Sequence, residues 1–175
     1  GLKIGIFLAS NRKNPKRTPQ FDIFNVTNYK ATNNENSDDK EDNFELVGLE
    51  SKDIKNELLI KKFWLFFIWN AFTQREKFHT NSKHLKVDLT KPNAIDNILI
   101  ILNDEEKFNS LNDELAEFDS TLRKQDKRLI ITFDQLDNIV KPSLWNEIIA
   151  PLVKLCMNFP HENIRPKLFL RRDLF

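Results

Sequence analysis

The sequence predicts an α/β domain in which a parallel sheet is flanked by helices, with a helical insertion ahead of an acid-tipped strand. Three observations carry this. Arg128–Asp137, RLIITFDQLD, runs from an apolar, β-branched and aromatic stretch straight into two acids, and such a run reads as a buried strand. About thirty residues later, Lys167–Asp173, KLFLRRD, is a second strand-like run ending in charge. Between them, Ser143–Asn158 carries Leu144, Ile148, Leu152 and Leu155 on one helical side. Strand, helix and strand make one right-handed unit and so a parallel pair.

The other elements follow in chain order. Leu2–Ser10 is apolar and short, and periodicity fits a strand or the first turns of a buried helix. Asn11–Gln20, with Pro15, Pro19 and the basic group Arg12, Lys13, Lys16 and Arg17, reads as a loop or helix end. Phe21–Val26 alternates apolar and polar residues and predicts a strand. Residues 31–43 are nearly empty of aliphatics and read as a mobile polar loop. Ser51 is the expected N-cap of one long helix through Phe78, apolar all round between Phe63 and Trp69. Its aromatic group Trp64, Phe66, Phe67 and Trp69 is expected in the core rather than on a stacking platform.

Asn93 caps a further helix with Ile95, Ile98, Leu99 and Leu102 on its buried side. The next helix buries Leu111, Leu115, Phe118 and Leu122, and Asp113, Glu114, Glu117, Arg123 and Lys124 read as its solvated surface. These two form the helical insertion before the strand Leu129–Phe133. Pro151 is expected to bend or break the following helix. Pro160–Pro166 reads as a turn region and Lys167–Leu170 as the last strand.

Composition bounds the function. The 175 residues suit one domain with a real core, and 40% hydrophobic with 30% charged residues is a globular composition. With 27 basic against 26 acidic residues, net charge gives no global reason to bind nucleic acid or an anionic membrane. Local basic patches remain open to both. A single cysteine, Cys156, excludes an intrachain disulfide framework and fits a cytoplasmic setting. No segment approaches the length of a membrane span. His79, His84 and His161 lack metal-ligand spacing. Only three glycines occur, and no GxxxxGK[ST] phosphate loop is among them.

In parallel sheets, ligands bind beyond the C-terminal ends of the strands. Asp134 stands there, with Asp137 one turn further, and Arg171 and Arg172 follow the second strand at the same edge. Carboxylates beside guanidiniums suit a phosphate-bearing ligand with a cation.

The pairing of ITFDQLD with RPKLFLRRDLF resembles bacterial P-loop ATPases of the STAND and AAA-like group, in which an FDxLD-type Walker B segment precedes an "IFLRxDLF" strand. KKFWLFFIWNAF also looks like that family's Trp-bearing helix. The resemblance covers the last fifty or so residues well and the remainder loosely. It implies a nucleotide-dependent switch binding ATP and Mg²⁺, in the cytoplasm, coupled to a protein partner or to self-association. Asp134 becomes the Walker B acid and holds Mg²⁺ through water. Arg171 is the sensor at the strand end, with Arg172 beside it. Gln135 stands where many relatives carry the water-orienting acid, so hydrolysis is expected to be weak. Asp137 is the remaining nearby carboxylate, for the ligand or for helix capping. The phosphate loop is expected either upstream of Gly1, the chain being incomplete at one or both ends, or at Lys3, where Ile4 would replace the Mg²⁺-binding Ser/Thr. The alternative implied is a degenerate, non-catalytic fold kept as an interaction or scaffold domain.

Overall fold

The computed structural model describes residues 3–10, 20–25, 49, 51–73, 80–89, 91, 93–134, 136, 140 and 142–170. The expected polar loop at 31–43 and the basic group at 12–17 lie outside them.

Among the described residues four strands form one sheet: β1 (Lys3–Ser10), β2 (Gln20–Asn25), β3 (Lys127–Asp134) and β4 (Ile164–Leu168), in the order β2-β1-β3-β4. The β3–β4 pair is parallel, as the strand–helix–strand pattern predicts. The sheet as a whole is not. β1 runs antiparallel to both β2 and β3, so the expected parallel sheet is a mixed one. The physical reason is that a period-two apolar pattern fixes which face is buried and leaves strand direction open.

β4 begins three residues earlier than Lys167 and includes Pro166. Leu129 N donates to Asn163 O at 2.7 Å and Phe169 N donates to Phe133 O at 2.9 Å. Odd-numbered residues of β4 therefore turn their backbone groups towards β3, and by alternation the nitrogen of Pro166 faces the open edge of the sheet. That is where a strand tolerates proline.

Among the described residues the α-helices are α1 (Ser51–Ile54), α2 (Glu57–Thr73), α3 (Ala94–Asn103), α4 (Glu105–Lys124) and α5 (Trp145–Met157). The long helix expected from Ser51 is broken at Asn56, whose Oδ1 accepts from Leu59 N at 3.1 Å and so caps α2. α3 and α4 precede β3, as the helical insertion requires. Asp104 caps α4 by accepting from Lys107 N at 3.1 Å. Asp126, at φ 51°, turns the chain from α4 into β3, a left-handed position that Asp tolerates better than most residues. Pro151 lies inside α5 without ending it.

Alternation along β3 sorts the sheet into two faces. Leu129, Ile131 and Phe133 are fully buried, together with Ile164 of β4. This face meets α2: the Trp64 ring stands edge-on to Phe133 with centroids 5.8 Å apart. Phe63, Trp64, Phe66, Ile68, Trp69 and Phe72 are all almost completely buried, so the aromatic run of α2 is core, as predicted. Phe72 stacks on Phe118 of α4 at 5.3 Å. The opposite face carries exposed Arg128 and Asp134 at the two ends of β3, with Ile130 partly buried and Thr132 buried between them, and exposed Arg165 and Lys167 on β4.

Candidate functional site

The C-terminal end of β3 is held from below. Trp64 packs on Phe133 and donates from Nε1 to Ile148 O at 2.9 Å, tying the end of the strand to the first turns of α5. Trp145 Nε1 donates to Val140 O at 3.0 Å and fixes the approach to that helix. Directly after buried Phe133, Asp134 emerges exposed. A rigid, buried strand thus delivers one carboxylate to solvent at its C-terminal end.

Lys3 is the register partner of Asp134 across the β1–β3 pair. The two predicted residues are brought to the same end of the sheet. Lys3 does not stand where a loop enters a helix, however, because Ile4–Ser10 continue as strand. The phosphate-cradling geometry expected at Lys3 is therefore not formed by β1. Gln135, Asp137, Arg171 and Arg172, the other predicted site residues, lie outside the described residues.

An exposed carboxylate on a fixed strand end can accept hydrogen bonds from metal-bound water. Mg²⁺ keeps several waters and takes one or two carboxylates together with substrate phosphates, so Asp134 suits that role without a dedicated cage. Among the described residues no three His, Cys, Asp or Glu groups gather as a metal site. His84 is exposed in a short 3₁₀ turn at Lys83–Leu85. His161 stands edge-on to Phe159, and burial, partly countered by Asp119, holds its pKa below the ordinary value. Burial pushes the Cys156 thiol up to about 12, which leaves it protonated and unreactive.

Two buried carboxylates were not legible as such. Glu114, expected on the solvated side of α4, is buried. Its Oε2 accepts from Trp69 Nε1 at 2.7 Å, and its Oε1 accepts from Ser82 N at 2.8 Å, while Thr80 Oγ1 donates to both oxygens. Burial pushes its pKa up, but these hydrogen bonds outweigh it and hold the group below its ordinary value. Asp119 is also buried and accepts from Asn163 N at 2.6 Å, anchoring the start of β4 to α4. In hindsight the signal was Trp69 and Thr80, donors that need an acceptor once buried. Both carboxylates are satisfied structural groups.

Among the described residues no helix is long and apolar enough to cross a membrane. Compared with protein-family models, with curated proteins and with solved structures, the chain gives no match.

Proposed function

We propose that this chain is a P-loop NTPase-like domain that binds ATP with Mg²⁺ at the C-terminal end of β3 and works as a nucleotide-dependent switch in the cytoplasm with weak hydrolysis. One observation carries the reading: Asp134 is exposed at the end of a buried strand whose neighbour β4 is parallel and connected through α5. In such units, the strand's C-terminal end is where a phosphate ligand and its cation meet the protein. Asp134 would hold Mg²⁺ through its waters, and the ion would neutralise phosphate charge. Gln135 can orient a water but is no base at neutral pH, which is the reason for weak turnover. Arg171 and Arg172, two and three residues past Phe169, would meet the phosphates from the β4 side, with Asp137 as a further carboxylate. Nucleotide state would then be coupled to a protein partner or to self-association, a step taken by analogy from the resemblance.

A second reading has its own support. β1 is an antiparallel strand where a phosphate loop and helix were sought, which favours a degenerate fold kept as an interaction or scaffold domain. Thermal denaturation with millimolar ATP and magnesium separates the two. The switch reading requires a rise in Tm that Asp134→Asn removes, and the scaffold reading requires no shift.

A further inference from the structure

The face of the sheet turned away from α2 carries an unbalanced charge. Arg165 is the register partner of Ile130, and Lys167 of Thr132. Alternation places Arg128 and Asp134 of β3 on that same face. Phe169 continues the row beyond β4, because its N–H bonds to Phe133 O at 2.9 Å, which sets it beside Asp134. Phe169 is 59% exposed. Arg128, Arg165 and Lys167 are exposed as well, and none has an ion pair or hydrogen bond from its side chain among the described residues. Among the described residues, three cations without such a partner therefore share the face with one carboxylate and one open aromatic ring. Net charge over the whole chain is only +1, so this is a local concentration of positive charge.

We infer that this face binds single-stranded nucleic acid, its phosphates paired with Arg128, Arg165 and Lys167 and one base stacked on Phe169. Charge complementarity selects a polyanion, and the exposed ring beside the cations selects one that also offers a flat apolar surface. Arg165, Lys167 and Phe169 follow at alternate positions, each about 7 Å from the last, a repeat on the scale of a nucleotide step in an extended strand. A duplex hides its bases from such a ring. Phe169 adjoins Asp134, the residue proposed to hold Mg²⁺, but the inference uses none of the residues assigned to the ATP site and needs no bound nucleotide.

The test is fluorescence anisotropy of a labelled oligothymidylate of about 16 nucleotides with the full chain, from about 50 to about 200 mM salt. Binding should weaken with a log–log salt slope of about −2, as three single-strand phosphate contacts require. Arg165→Ala with Lys167→Ala should flatten the slope by about 1.4. Phe169→Ala should lower affinity roughly tenfold at unchanged slope, and Phe169→Tyr should restore it. All these side chains are exposed, so circular dichroism should be unchanged. No binding at the lowest salt would overturn the inference. So would binding that survives the double substitution, or a duplex bound as well as the single strand with no effect of Phe169→Ala. Loss of Mg-ATP binding in Asp134→Asn is a separate result and does not bear on it.

Discussion

Glu114 Oε2 and Trp69 Nε1 meet at 2.7 Å between α4 and α2, inside the helical layer. The same carboxylate holds Thr80 and Ser82, so one buried charge ties the segment after α2 to two helices. Replacing it by leucine leaves two buried donors, Trp69 Nε1 and Thr80 Oγ1, without an acceptor, while Ser82 N keeps Thr80 Oγ1 at 2.9 Å. At about 1–3 kcal/mol for each orphaned group, Glu114→Leu should destabilise the fold by roughly 2 kcal/mol or more in urea denaturation. A loss within 0.5 kcal/mol, roughly the scale of a neutral surface change, would contradict the clamp.

The same group predicts a pH dependence. Its folded pKa is depressed below the ordinary value of 4.5. A depressed carboxylate contributes stability that is fully present above its unfolded pKa and is lost as pH falls through the folded one. The stability gap between the native chain and Glu114→Gln should therefore be widest at neutral pH and narrow as the pH falls below about 4.5. Denaturation curves at a series of pH values check this, and a gap that widens on acidification would be the wrong sign.

Trp64 links the β3 end to α5 through its ring on Phe133 and its Nε1 bond to Ile148 O. Trp64→Phe keeps most of the packing and leaves that carbonyl without its donor. The expected cost is about 1–3 kcal/mol, together with faster hydrogen exchange at the start of α5. Unchanged exchange there would show that the link does not hold the strand end.

Much of this architecture was legible. The acid-tipped strand, the helix after it and the two helices before it all lie close to where periodicity sets them, although Asn93, the expected cap of α3, makes no side-chain cap hydrogen bond. Burial of Trp64, Phe66, Phe67 and Trp69 also followed from the all-round apolar character of α2. Besides the burial of Glu114 and Asp119, three things were not legible, each for a physical reason. The direction of β1 is not encoded in an apolar run. The break before α2 depends on whether Ser51 or Asn56 takes the cap, and both are good caps. Pro166 marked a turn in the sequence because its place on an outward-facing edge is known only once β4 pairs. Of the site, Asp134 was legible at a strand end, and the nearness of Lys3 to it came from pairing rather than from a motif.

Cys156 offers a direct check on the core beside α5. With its thiol pushed up to about 12 by burial, the native chain should react with a thiol reagent at neutral pH far more slowly than the urea-unfolded chain. Equal rates would place the thiol in an open, water-filled setting.

The central claim is that Asp134 anchors Mg-ATP at the end of β3. Isothermal calorimetry of ATP with and without magnesium, on the native chain and on Asp134→Asn, tests it most directly. The account predicts magnesium-dependent binding by the native chain and its loss in Asp134→Asn with the fold intact. Native binding that persists unchanged in Asp134→Asn, or no binding by the native chain at millimolar ATP, would contradict it.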